Sequence, residues 1–226
     1  MSDIFREVDE DIRQEKYRRL WDRLGPWVIV VAVLVVVVTG GYRGWVYWQE
    51  NQSQQAGDAF FEAVRLSESG DSAEAEKIFA DLATSTGGYP ALARMRGATE
   101  LARTDRSDEA LAEFDAVSAD TSVNKGLREI SSLRAAYIAV DTEDYDAISD
   151  RVEGLTGADG PFRSGAREIL AVAAWKAGDI KTARSWIKAL TDDPATPTDV
   201  TRRVGILTQV IDGTNGPAEG SEGADK

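Results

Sequence analysis

The hydrophobic pattern divides the chain into one uninterrupted apolar segment near its start and a long region of helical periodicity. Residues 24–42 form nineteen consecutive residues without a charge, bounded by Arg23 and Arg43. A helix of that length spans roughly 28 Å, which matches the hydrocarbon thickness of a bilayer. Valine dominates its centre, but in lipid only a helix satisfies its own backbone hydrogen bonds. The segment therefore predicts a single transmembrane helix.

Amphipathic side chains mark both ends of this segment. Aromatic rings prefer the membrane–water interface, and an arginine can extend its charge towards the headgroups. A buried core helix does not usually carry aromatic residues at both ends, and a cleaved signal peptide would have a short basic start and a small-residue cleavage site. We therefore expect an uncleaved anchor over residues 24–48. The side chains expected to hold it at the interfaces are Trp27, Tyr42, Arg43, Trp45 and Trp48.

The basic residues near the segment predict its orientation. Five of them precede it within a short distance, whereas Arg43 alone follows it before Arg65. Because Lys and Arg concentrate on the cytoplasmic side, we expect residues 1–23 to be cytoplasmic. In a Gram-negative bacterium this places the protein in the inner membrane with the rest of the chain in the periplasm. The five basic residues are Arg13, Lys16, Arg18, Arg19 and Arg23.

The spacing of two glycines indicates where the predicted span could contact another helix. Gly40 and Gly44 have the GxxxG spacing that lets two membrane helices approach closely. They lie at the outer boundary, where glycine can equally mark the end of a helix. Both interpretations stay open.

Beyond the segment, apolar residues recur at helical spacing and predict four helical hairpins between residues 49 and 212. Ala75 and Phe79 on the second helix of the first hairpin reappear thirty-five residues later as Ala110 and Phe114. Ala147 and Ala183 are expected to continue this series of small residues between closely packed helices. The sequence thus predicts an all-α fold: one transmembrane helix, then a tetratricopeptide-like α-solenoid of about four helical hairpins plus a capping helix.

The predicted ends of individual helices rest on turn and capping residues. Gly70 is expected to form the first turn, and Asp71 with Glu74 has the spacing of a capping box. Thr196 is expected to cap the terminal helix. Residues 213–226 lack apolar periodicity and are expected to form a disordered acidic tail.

Composition excludes several kinds of chemistry. The chain has no histidine and no cysteine, which removes His-dependent nucleophilic catalysis and the usual transition-metal ligands. Its net charge of −13 arises after residue 48, so we expect no nucleic-acid partner. The acidic stretch 141–146 lacks the glycine and distal glutamate of a calcium loop. We therefore expect no catalytic residue, no metal site and no cofactor.

Several stretches together resemble one known family. They are the end of the span, GYRGWVYWQENQSQQAGDAFFEAV, followed by GGYPALARMRGATELA, VNKGLREISSLRAAYIAV and GPFRSGAREILAVAAWKAGDIKTARSWIKAL. The chain resembles the YfgM-like family, the ancillary subunit of the SecYEG translocon, over nearly its whole length. This resemblance implies a bitopic inner-membrane protein that associates with the translocon and with a membrane-anchored periplasmic chaperone. The long charged amino-terminal region departs from the family.

Three classes of function are compatible with these patterns. The first is an anchored scaffold that assists chaperone action on exported proteins. The second is a general adaptor of the same fold in cell-envelope or division assemblies. The third, a hydrolase using paired carboxylates, has no constellation of residues behind it. For a scaffold, the exposed first-helix faces nominate Arg94, Arg96 and Arg134 as partner-binding candidates.

Overall fold

The computed structural model describes residues 3–85 and 87–215, with side chains from residue 23 onward. Within these ranges the chain is helical and contains no strand, which confirms the all-α prediction. A short 3-10 helix, Glu153–Leu155, follows α6. The α-helices are α1 (Asp3–Ser69), α2 (Ser72–Ala83), α3 (Tyr89–Arg103), α4 (Ser107–Ala119), α5 (Lys125–Ala139), α6 (Tyr145–Val152), α7 (Arg163–Lys176), α8 (Ile180–Thr191) and α9 (Thr198–Asn215).

The chain divides into two compact units, Met1–Gln55 and Ala56–Lys226. The first contains most of α1, including the predicted span. The second contains the end of α1 and all later helices. The end of α1 from residue 56 and helices α3, α5 and α7 are here called the first helices. Helices α2, α4, α6 and α8 are called the second helices.

The second unit has a core that runs along the stack of hairpins. Four clusters of buried side chains follow one another, each shared between consecutive helices. Phe79 packs between the end of α1 and α3, and Phe114 packs among α3, α4 and α5. Val152 and Ile187 occupy the corresponding places in the last two hairpins. Each hairpin therefore buries its apolar face against its neighbours.

The small-residue series holds in the first, second and fourth hairpins and is interrupted in the third. Ala75, Ala110 and Ala183 have no exposed surface, because a larger side chain would push their helices apart. Ala147 is only half-buried, and the adjacent Ile148 takes the buried position. The interval from Ala110 to Ile148 is thirty-eight residues because the connection before α6 is longer. The prediction for Ala147 was wrong by one position.

The turns within the first, second and fourth hairpins share a backbone conformation. Gly70 has φ of 95° and Gly178 has φ of 78°, which glycine adopts without a steric penalty. Asp105, thirty-five residues after Gly70, has φ of 61° at the equivalent turn. Aspartate tolerates this region better than most residues. The predicted turn at Gly70 is confirmed.

Two of the predicted caps differ from what the structure shows. Asp71 precedes α2, but its side chain makes no capping hydrogen bond. Thr196 donates its hydroxyl proton to the carbonyl of Leu190 at 2.8 Å, and α9 begins two residues later. Effective caps occur elsewhere: the Asp144 carboxylate accepts from the Ala147 amide, and the Asp179 carboxylate from the Thr182 amide.

The last residues of α9 fall in the segment 213–226 that was expected to form a disordered acidic tail. The helix continues through Gly213 to Asn215. Residues 216–226, the rest of the expected acidic tail, lie outside the described residues.

Candidate protein-binding surface

The apolar segment within α1 leaves its side chains uncovered. Every large aliphatic side chain from Val28 to Val38 is at least 52% exposed. A core helix of a soluble protein would bury these side chains, so the structure contradicts the core-helix alternative. By length and composition this helix is suited to cross a membrane.

The residues expected at the two interfaces are also uncovered. Trp27 and Tyr42 are 69% and 68% exposed, and Trp45 and Trp48 lie with their ring centroids 5.7 Å apart. Arg43 is exposed within the same group. Among the described residues, no atom lies within 4 Å of a Cβ built on Gly40 or Gly44, so both positions have open space beside them.

Hydrogen bonds between neighbouring first helices hold the stack together along one face. The Ser67 hydroxyl donates to the Glu100 carboxylate, which links α1 to α3. Arg134 donates through Nη1 to the Thr99 hydroxyl at 3.1 Å, which links α5 to α3. These contacts join residues separated by about one repeat. The face that carries them is called the first-helix face.

Glu168 on α7 is a hydrogen-bonding centre of this face. Its side chain is nearly buried and accepts two hydrogen bonds from Arg203 of α9, at 2.5 and 2.7 Å. Tyr137 of α5 donates its hydroxyl proton to the same carboxylate at 3.1 Å. Burial and the neighbouring Glu168 charge raise the pKa of Tyr137 above its usual range. The network ties α5, α7 and α9 together.

Close packing of α5 on α7 is possible because Gly165 has no side chain. A Cβ at this position would lie 2.9 Å from Cδ2 of Leu133. Leu133 and Tyr137 are therefore held against α7.

Glu100 on α3, like Glu168 on α7, is a buried carboxylate that accepts hydrogen bonds on the first-helix face. Its side chain is 2% exposed and accepts from Arg103 through Nε at 3.1 Å and Nη2 at 2.9 Å, in addition to Ser67. Burial opposes its ionisation, but the hydrogen bonds from Ser67 and Arg103 outweigh that effect and lower the pKa of Glu100. The carboxylate is thus ionised at neutral pH and neutralised by a neighbouring cation.

The charges of Arg96 and Arg134 are less fully compensated: Arg96 helps to lower the pKa of Glu100, but no direct contact joins the two groups. In the part of the chain that the structure describes, neither forms an ion pair, and the buried Nε of Arg96 has no hydrogen-bond partner. They lie fourteen residues before Ala110 and Ile148, hence at equivalent places in successive hairpins. Arg134 reaches Thr99, one turn beyond Arg96 on α3. The two guanidinium groups therefore share one area of the first-helix face.

Exposed apolar side chains flank the two arginines. Leu92 lies one turn before Arg96 and is 37% exposed, and Tyr137 lies one turn after Arg134 and is 42% exposed. Together these four residues and Thr99 are called the basic patch. Mixed apolar and cationic surface of this kind suits a polypeptide partner better than a lipid or a small molecule.

Arg94, the third candidate from the sequence, lies elsewhere. Its guanidinium approaches Glu113 of α4 at 3.6 Å and Asp120 at 3.5 Å. It therefore points away from the basic patch and is partly neutralised. The sequence nominated Arg94, Arg96 and Arg134 as one group of partner-binding candidates. The structure places only Arg96 and Arg134 close together.

Side chains of the acidic stretch 141–146 cap a helix and form ion pairs. Asp144 caps α6, Asp141 pairs with Lys176 at 2.6 Å, and Glu143 accepts two hydrogen bonds from Nη2 of Arg151. Among the described residues, no cluster of three acidic side chains has the arrangement of a metal site.

Comparison with known proteins identifies the fold family. A family model described as a tetratricopeptide repeat-like domain matches residues 18–192, which include the apolar segment and all four hairpins and end before α9. Neither the curated proteins nor the solved structures give a match. Because the matched region covers most of the chain, the protein belongs to the tetratricopeptide repeat-like domain family.

Proposed function

We propose that this protein is a membrane-anchored scaffold that binds other proteins through the basic patch. Tetratricopeptide-like domains are built for such interactions, because stacked hairpins present one continuous face of first helices. The observation that carries the proposal is the pair of arginines on that face, Arg96 and Arg134, which form no ion pair among the described residues and lie next to exposed Leu92 and Tyr137. Residues 24–42 would hold this surface at the membrane.

We further propose that the anchored domain lies in the periplasm of a Gram-negative cell, at the inner membrane. The excess of basic residues before the span supports this orientation. Its partners would be the SecYEG translocon and a membrane-anchored periplasmic chaperone, as the resemblance of the chain implies. The alternative is an adaptor of cell-envelope or division assemblies without a link to the translocon.

Reversing the charge of the basic patch tests the proposal. The double variant Arg96→Glu/Arg134→Glu, purified full-length from membranes in mild detergent, is expected to retain about tenfold less of each partner than the unmodified protein. Arg134 is exposed, whereas Arg96 is half-buried with its Nε enclosed, so the single variant Arg134→Glu, which should leave the thermal unfolding followed by circular dichroism unchanged, is measured beside the double variant. Mass spectrometry of the co-purified proteins provides the measurement.

A matched control separates the patch from general electrostatics. Lys77→Glu/Arg202→Glu makes the same change in net charge at two exposed positions outside the patch, and it should leave the partners bound. Equal loss with both double variants, or no loss with either, contradicts binding at the patch. Translocon subunits among the proteins lost support the translocon assignment, and their consistent absence leaves the adaptor alternative.

A further inference from the structure

A groove opens on the other side of α3, between the second helices α2 and α4. It encloses a volume of about 450 Å³. Helix α3 packs extensively against both α2 and α4, whereas α2 and α4 make no extensive packing with each other. Helix α3 therefore forms the floor of the groove, and the two second helices form its walls.

Small side chains keep this groove open. Ala80 and Ala83 on α2 face it from one wall, Ala112 on α4 from the other, and Gly97 lies on the floor. A Cβ on Gly97 would lie 3.6 Å from Cβ of Phe79, an ordinary contact distance, so Gly97 lies beside the α2 wall. Ala80 and Ala112 are exposed. The groove therefore presents apolar surface with room for a bulky side chain from outside.

The groove has an acidic rim. Glu76, Glu109 and Glu113 line it, and the side chains of Glu109 and Glu113 are 58% and 47% exposed. Glu113 has a cationic neighbour in Arg94 at 3.6 Å, but Arg94 is shared with Asp120. Glu113 is therefore available to a further cation from solvent.

Arg106 closes one end of the groove. It donates through Nη1 to both carboxylate oxygens of Glu76, each at 2.9 Å, and through Nε and Nη2 to Glu109 at 2.7 and 2.6 Å. The Glu109 and Glu76 carboxylates raise the pKa of Arg106, and Arg106 lowers the pKa of Glu109. This bridge fixes the spacing between α2 and α4, so the groove is preformed.

The helices that form the groove walls differ in charge from α3, α5 and α7. Helices α3, α5 and α7 each carry three basic residues and one acidic residue. Helix α2 carries three acidic residues and one lysine, and α4 carries four acidic residues and no basic one. The walls of the groove thus produce a negative field, opposite in sign to that of α3, α5 and α7.

The groove and the basic patch lie on different sides of α3. Ala93, Gly97 and Leu101 face the groove, whereas Leu92, Arg96 and Thr99 face the patch. At 100° per residue the centres of these two sets are about 130° apart around the helix. One partner cannot occupy both surfaces by the same contact.

We infer that the groove between α2 and α4 is a second docking site, and that it binds a basic amphipathic segment of a partner protein. A bulky apolar side chain of the segment enters the space above Gly97, between Ala80 and Ala112. A lysine or arginine side chain of the same segment pairs with Glu113 on the rim. The protein would then hold two partners of opposite charge on its two sides.

Peptide binding to the full-length protein tests this inference. The chain has no cysteine, so an Ala112→Cys variant carries one environment-sensitive dye in the groove, and Ala73→Cys places the same dye at an exposed position of α2 outside it. In nanodiscs of zwitterionic lipid, a synthetic amphipathic helix of leucine and lysine should produce a saturable fluorescence change at residue 112 only. The matched leucine–glutamate helix should produce none. Empty nanodiscs measure binding of the peptides to lipid.

Two pairs of variants identify the contacts. Dye-free variants are titrated as competitors of the labelled protein for the peptide. Ala112→Trp fills the groove and should abolish binding, whereas Ala73→Trp should leave it unchanged. Glu113→Lys should weaken binding by about tenfold, whereas Asp108→Lys makes the same charge change on α4 outside the groove and should weaken it less than twofold.

Several results would overturn the inference. One is equal weakening of peptide binding by Glu113→Lys and Asp108→Lys. A second is tighter binding of the leucine–glutamate helix than of the leucine–lysine helix. A third is a fluorescence change that follows protein concentration in the absence of peptide. The variants Arg96→Glu/Arg134→Glu should bind the leucine–lysine helix normally, so failure of this inference is distinguishable from failure of the proposed function.

Discussion

Replacing Phe114 with alanine is expected to lower the free energy of unfolding by about 3–5 kcal/mol. The side chain is 2% exposed and packs with Met95, Val117 and Ala135, so it joins the second hairpin to the third. Its removal loses buried apolar area and leaves a cavity at the centre of the stack. The transition temperature of the full-length protein should fall by about 10 °C, measured by far-ultraviolet circular dichroism in detergent.

The same substitution at an exposed phenylalanine provides the control. Phe61 is 65% exposed on α1, so Phe61→Ala should change the free energy of unfolding by less than about 0.5 kcal/mol. Similar destabilisation by the two variants would mean that the hairpins do not share the core described here.

Two arginines in the middle of the apolar segment are expected to release the protein from the membrane. Each arginine at the centre of a span costs about 2.5–3.5 kcal/mol on insertion scales. The eleven Val, Leu and Ile residues of the segment together favour insertion by about 3–7 kcal/mol. The double variant Val33→Arg/Val36→Arg should therefore lose most of its insertion free energy. After carbonate extraction it should appear in the soluble fraction, while the unmodified protein stays in the pellet.

Arginines beyond the segment should have no such effect. Ser53→Arg/Gln54→Arg adds the same charge to exposed positions of α1 and should leave the protein in the pellet. If the Val33→Arg/Val36→Arg variant also stays in the pellet, residues 24–42 are not the anchor.

Local periodicity in the sequence was sufficient to predict the hairpins. Apolar residues at helical spacing placed the second helices correctly, and the offset of thirty-five residues identified Ala75 and Ala110 as buried. The end of α1 was harder to predict. No strong terminator separates the span from the first hairpin, so the helix runs on from Asp3 to Ser69.

Interactions between hairpins were not visible in local patterns. Glu168 resembles any charged residue beside Arg167, and only the fold shows that it is buried against Arg203. One signal could have found such pairs: complementary polar groups separated by one repeat. Arg203 follows Glu168 by thirty-five residues, as Lys176 follows Asp141. The sequence could not separate Arg94 from Arg96, because their difference depends on which helix packs over each side of α3.

Cysteine accessibility in intact cells tests the anchored, exported arrangement most directly. Since the chain has no cysteine, Ser53→Cys and Ser2→Cys each provide a single reporter on one side of residues 24–42. With the outer membrane permeabilised, a maleimide that cannot cross the inner membrane should label Ser53→Cys at once and Ser2→Cys only after lysis. Labelling of Ser2→Cys before lysis, or protection of Ser53→Cys until lysis, would contradict the account.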